Sequence, residues 1–84
     1  MSGRLENDYP IAQHVDACGL SCPLPLLKAK QALNRLQPGE VLKVSATDAG
    51  SVRDFRAFTD QSGDQLLLSS EEQGQYIYLI RKAD

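Results

Sequence analysis

This chain holds little of what most catalytic and metal-binding chemistry draws on. Of its 84 residues two are cysteine and one is histidine. Two cysteines are too few for the disulfide framework of a small secreted domain. A structural zinc site takes four ligands, often as two short-spaced pairs. Two cysteines and one histidine do not supply that set, so no metal is expected. No phosphate-binding glycine loop, nucleotide fingerprint or Ser–His–Asp arrangement occurs, and no cofactor is expected. Basic charge is not in excess: nine Lys and Arg against eleven Asp and Glu leave a net charge of −2 and a pI near 5.2. Nucleic-acid binders usually carry a basic excess or a clustered basic face, so no direct contact with nucleic acid is expected. No apolar run is long enough to span a bilayer. The polar stretch Met1 to Pro10 lacks the apolar region of a secretory signal. The expectation is a cytoplasmic protein, not bound to a membrane, with reduced thiols.

What is present is the composition of a folded globule, 42% hydrophobic and 24% charged. A chain this short buries only about two thirds of its unfolded surface, so its core is thin. An exposed residue that works while a partner is docked suits such a domain better than a deep pocket. A monomer leaves that residue open to a partner. Residues 1–10 read as a flexible leader and 11–84 as one domain.

The domain divides into six elements. Ile11 to Ala17 reads as a strand. Leu26, Ala29, Leu33 and Leu36 then recur at helical spacing, with Lys28, Gln31 and Arg35 on the other face. Pro38-Gly39 breaks this helix. Glu40 to Thr47 alternates, with Leu42, Val44 and Ala46 on one face and Lys43 and Ser45 on the other. Ser51-Val52-Arg53-Asp54 has capping-box spacing. It opens a second helix with Val52, Phe55 and Phe58 inward, ended by Gly63. Gln65 to Ser70 and Gln75 to Lys82 read as a hairpin around Gly74. In its second strand Tyr76, Tyr78 and Ile80 face one way, Ile77 and Leu79 the other. The order βαβαββ predicts an α+β fold: a two-layer α/β sandwich, with a four-stranded mixed sheet and two helices on one face.

The chemistry concentrates in Cys22-Pro23-Leu24-Pro25. The first N–H groups of a helix have no partner within it, so proline is tolerated there and not later. The simplest register places Cys22 at the N-cap, Pro23 at N1 and Pro25 at N3, which leaves the Leu24 N–H free near the sulfur. A helix start carries about half a positive charge. It favours an anion, so the Cys22 thiolate is expected to be stabilised. Lys28 and Lys30, one to two turns on, are possible further sources of positive potential, and Lys28 is also a candidate partner-docking residue. The bland alternative for Cys22 is a small buried hydrophobe, which a loop–helix junction disfavours.

Cys18 ends the first strand, after which Gly19 supplies the turn. Cys18 is a possible redox partner of Cys22, by a reversible disulfide or as a resolving thiol; the plainer reading is a strand-end filler. His14 reads as a solvated or edge-strand residue. Asp48, Arg53 and Asp54 gather at the start of the second helix, either as capping and a surface ion pair or as a patch that docks a partner.

The segment Val15-Asp16-Ala17-Cys18-Gly19-Leu20-Ser21-Cys22-Pro23-Leu24-Pro25-Leu26-Leu27-Lys28-Ala29-Lys30 resembles the signature of the TusA/SirA family. Leu36-Gln37-Pro38-Gly39-Glu40 and Thr47-Asp48-Ala49-Gly50-Ser51-Val52-Arg53-Asp54-Phe55 resemble its helix stop and the start of its second helix. The likeness runs over roughly Gln13 to Lys82. It implies the same βαβαββ fold and a persulfide carried on Cys22. It implies a pyridoxal-phosphate cysteine desulfurase as donor and a downstream acceptor protein, in tRNA thiolation, molybdenum cofactor maturation or sulfur oxidation. The chain would then act as a carrier with sulfurtransferase half-reactions more than as a stand-alone enzyme. Many members have proline at the position of Ala49 and cysteine at that of Thr59, and Cys18 lies outside the core signature. The alternative is a thiol redox-sensing module using Cys18 and Cys22. A nucleic-acid role would rest on fold analogy alone.

Overall fold

The computed structural model describes residues 9–84. Of the leader expected over residues 1–10, only Tyr9 and Pro10 lie within them. The elements are β1 (Ile11–Ala17), α1 (Leu24–Leu33), β2 (Val41–Ala46), α2 (Ser51–Ser62), β3 (Gln65–Glu72) and β4 (Gln75–Arg81). The sheet order is β1-β2-β4-β3. β1 runs parallel to β2, and β4 is antiparallel to both of its neighbours. The expected α+β architecture with a mixed sheet is what the chain adopts.

The alternation in the sequence sets the two faces of the sheet. Leu42, Val44 and Ala46 of β2 join Tyr78 and Ile80 of β4 in one buried cluster with Ala29, Ala32 and Leu33 of α1 and Phe55 of α2. Phe55 stacks on Tyr78, with ring centroids 4.4 Å apart and planes within 4°. Full burial of one such Leu, Ile or Phe side chain contributes about 1.5–3 kcal/mol. Ile77 and Leu79 take the opposite face, where Leu68 pairs with Leu79.

Several boundaries differ from the expectation. α1 ends at Leu33, before Pro38-Gly39. Arg35 and Leu36 donate their N–H groups only three residues back, to Ala32 and Leu33. The Lys82 ammonium donates to the Leu33 and Leu36 carbonyls, both at 2.8 Å, and so satisfies the open end of the helix. Leu36 stays buried in this tighter turn. At α2, Ser51 is the first helical residue and Gly50 the N-cap, with no side-chain cap. The capping box does not form because the Ser51 hydroxyl is committed elsewhere, to the Tyr78 hydroxyl at 2.7 Å in the buried interior. β3 runs two residues past Ser70, to a tight turn at Gln73 and Gly74, both with positive φ. Gly63 ends α2 in the left-handed conformation as expected.

One consequence of this topology matters for the site. Ala17 and Ala46, the last residues of β1 and β2, are register partners in a parallel pair. The loops that follow them therefore leave the same edge of the sheet side by side. Each loop opens a helix, so the starts of α1 and α2 are neighbours although far apart in sequence.

Candidate functional site

The loop after β1 is held by short hydrogen bonds. Asp16 Oδ1 accepts the Cys18 N–H at 3.1 Å, and this bond holds the Asp16 carboxyl below its usual range. The Leu20 N–H donates to the Ala17 carbonyl. Gly19 has φ +85°, and nothing lies within 4 Å of where its Cβ would be. Backbone conformation alone selects glycine there. The Gly19 N–H donates to Thr47 Oγ1 at 2.9 Å, tying this loop to the one after β2.

Cys22 sits at the tip of that loop and is exposed. The N-cap of α1 is Pro23, one residue later than the simplest register, and Pro25 lies in the first turn. The Cys22–Pro23 peptide bond is cis. The Leu24 N–H is not free for the sulfur, because it donates to the Ser21 carbonyl at 2.9 Å.

The closest partner of the thiol comes from the second helix. Cys22 Sγ donates to Asp54 Oδ2 at 2.6 Å. Acceptance by this carboxylate pushes the Cys22 thiol above its ordinary value. Desolvation and the charges of Asp54 and Asp48 add to the effect, and Arg53 opposes it. The expected stabilisation of the thiolate is thus corrected: the Asp54 contact shifts Cys22 toward the thiol. Two physical reasons explain the reversal. Cys22 lies outside the first turn, within which the helix dipole acts. A full negative charge in hydrogen-bond contact outweighs that partial positive charge.

Room for this contact comes from Gly50. A Cβ there would stand 2.9 Å from Asp48 Oδ2, 3.4 Å from Cys22 Cβ and 3.7 Å from Cys22 Sγ. Gly50 has φ −65°, so close approach, not conformation, is what glycine provides. Asp48 Oδ2 accepts the Gly50 N–H at 3.0 Å. Asp48, Gly50 and Asp54 therefore form one wall of the thiol's surroundings, and the buried Ser51–Tyr78 bond seats the helix start that carries them.

Of the residues singled out from sequence, Cys22, Asp54, Asp48 and Arg53 come together. Gly19, Pro23 and Pro25 shape the loop and the helix start. The lysines do not join them. Lys28 lines a groove with Gln13, Asp16, Gln31 and Arg35 between β1 and α1, and the Lys30 ammonium lies over the Phe58 ring at 5.3 Å. Cys18 is half-buried and free, and its sulfur accepts from Gln75 Nε2 at 3.2 Å. The two sulfurs are thus held by different elements. His14 Nε2 is 2.9 Å from Ser45 Oγ, on the edge strand β1. Among the described residues no group of three or more His, Cys, Asp or Glu is placed to hold a metal, and no helix is long and apolar enough to cross a membrane.

Sequence reasoning passed over two features of the site. Gly50 enters from the sequence only as part of the segment that resembles the family's second-helix start; the parallel βαβ order is the signal that its loop abuts the Cys22 loop. The other feature is apolar. Leu24 and Leu27, in the first turn of α1, are 44% and 46% exposed. On the α2 side an open groove of about 660 Å³ is lined by Ala49, Gly50, Val52, Arg53, Arg56, Ala57 and Asp60.

The chain is similar to known proteins over most of its length. The family model described as Sulfurtransferase TusA matches residues 13–82. A protein of Allochromatium vinosum named sulfur carrier protein TusA is 54% identical over 71 residues, covering 84% of this chain and 93% of that one. One of the same name from Pseudomonas paraeruginosa is 40% identical over 74 residues, covering 88% and 94%. The crystal structure of a SirA-like protein from Desulfitobacterium hafniense superposes with a TM-score of 0.75 at 26% identity, over 86% of this chain and 99% of that one.

Proposed function

The chain belongs to the TusA sulfurtransferase family, and from that membership we propose that it carries sulfur as a persulfide on Cys22. The donor is a cysteine desulfurase bearing a persulfide, and the acceptor is a cysteine of a downstream protein in a sulfur relay. The observation that carries the reading is the placement of Cys22: an exposed thiol on the loop between β1 and α1, directly before the N-cap of α1.

Each transfer is a thiol–persulfide exchange, formally like thiol–disulfide exchange. On loading, the Cys22 sulfur attacks the outer sulfur of the donor persulfide. A new S–S bond forms as the donor's S–S bond breaks. The electron pair leaves on the donor cysteine sulfur, which takes up the proton given by Cys22. On delivery an acceptor thiolate repeats the exchange on the sulfur held by Cys22. No net oxidation or reduction occurs, so the chain needs no cofactor of its own. Leu24 and Leu27 offer an apolar contact to a docked partner, with Asp48 and Arg53 on the α2 side.

The test is intact mass after incubation with a cysteine desulfurase and cysteine, without reductant. Wild type and Cys18→Ser are expected to gain one sulfur atom that reductant removes, and Cys22→Ser to gain none. Equal gain by Cys22→Ser, or dependence of the gain on Cys18, would remove Cys22 from the role proposed here.

A further inference from the structure

The Cys22–Asp54 contact bears on which way the sulfur moves, an inference that rests on Cys22 being the persulfide site. We propose that Asp54 biases the carrier toward release: it holds the emptied Cys22 as a thiol and opposes the charged persulfide on the loaded chain.

The argument follows from what each state presents to the same carboxylate. In the empty state Cys22 is a neutral donor, and Asp54 Oδ2 accepts its proton at 2.6 Å. Hydrogen bonds to an ionised acceptor are about twice as strong as neutral ones. In the loaded state the outer sulfur is more acidic than a thiol and carries negative charge at neutral pH. Like charges at close range disfavour ionisation of both groups. The carboxylate that stabilises the empty state therefore destabilises the loaded one.

The position of Asp54 is fixed. It lies in the first turn of α2, and the start of that helix is anchored by the buried Ser51–Tyr78 bond. Gly50 leaves no side chain between α2 and the thiol. Asp48 adds negative charge on the same side, and the charge of Arg53 acts on Cys22 against it. Both remain when Asp54 is changed, so a substitution at Asp54 isolates its own contribution.

The experiment is an exchange equilibrium in the Cys18→Ser background, where a single thiol reports. The reduced protein is equilibrated at pH 7.5 with mixtures of glutathione persulfide and glutathione, and the loaded fraction is read by intact mass. Loading forms an S–S bond between Cys22 and the outer sulfur. It breaks the one in glutathione persulfide and returns the proton from Cys22 to the glutathione sulfur, so the mixing ratio sets the equilibrium. Asp54→Asn and Asp54→Ser are expected to reach half-loading at a several-fold lower ratio of persulfide to thiol. Asp54→Glu, which keeps the charge, is expected to stay near the parent. In the empty state, Asp54→Asn is expected to react faster with iodoacetamide at pH 7.5, because its thiol is no longer held protonated. A looser fold alone would not shift an exchange equilibrium toward the loaded side. Half-loading of both neutral variants at the parent ratio, or at a higher one, would overturn the proposal while leaving Cys22 as carrier. A parent protein that takes up no sulfur at any ratio would overturn both.

Discussion

Gly50→Ala is the substitution whose outcome most directly tests the packing of the site. By conformation alone it should help. Gly50 has φ −65°, which alanine adopts without strain, and such a replacement commonly gains about 0.4–1 kcal/mol by restricting the unfolded chain. The contacts argue the other way. The new Cβ would meet Asp48 Oδ2 at 2.9 Å, closer than real Cβ atoms come to an oxygen. Asp48 must then give up its bond to the Gly50 N–H. A hydrogen bond to a charged group is worth about 1.5–3 kcal/mol, more than the conformational gain. The net expectation is a loss of about 1 kcal/mol, or a fall in melting temperature of about 4–8 °C for a domain of this size. Calorimetry or thermal circular dichroism measures it. The Cβ would also press on Cys22 at 3.4 and 3.7 Å. The thiol is therefore expected to lose its seat on Asp54, and Cys22 alkylation at neutral pH to become faster than in the parent. A Gly50→Ala protein as stable as the parent or more so, with unchanged Cys22 reactivity, would refute the reasoning.

Two further predictions concern neighbouring groups. Tyr78→Phe leaves the Ser51 hydroxyl, only 1% exposed, without its partner; a buried group so orphaned costs about 1–3 kcal/mol. Urea unfolding should show that loss, and the double change Tyr78→Phe with Ser51→Ala should restore part of it. The pH dependence of Cys22 follows from its raised pKa. The stabilising thiol–carboxylate bond is present below the ordinary thiol range and is lost as pH rises through the higher folded value. The alkylation rate of Cys22 in the empty chain should accordingly rise with a midpoint above that of an unstructured cysteine peptide; a midpoint at or below the peptide's would contradict the Asp54 contact.

The features legible in the sequence are those that a short window encodes. Alternation over Glu40 to Thr47 set Leu42, Val44 and Ala46 on one face, and over Gln75 to Lys82 it set Tyr76, Tyr78 and Ile80 together, because side chains on a strand have period two. Gly63 marked the end of α2 and Gly74 the hairpin turn, and both adopt the left-handed backbone that glycine permits. Two prolines in three residues marked the start of α1 within one position, since proline is accepted only where a helix N–H has no partner. The sequence also singled out Cys22 as the candidate carrier of sulfur, by its place at that start.

The surroundings of the thiol were decided by tertiary structure. A local reading sees a cysteine at a positive helix end and expects a thiolate. The parallel pairing of β1 with β2 instead sets two loops side by side and brings a carboxylate from 32 residues away to 2.6 Å from the sulfur. The same pairing turned Gly50 from an ordinary turn residue into the gap through which that contact is made. Ser51 went into the interior in place of the cap for the same kind of reason: a buried tyrosine hydroxyl needs a partner, and Tyr78 lies below the start of α2. Periodicity and capping rules describe a segment against its own backbone. The charge that a reactive atom meets depends on which segments the sheet places together, and no window of the sequence contains both.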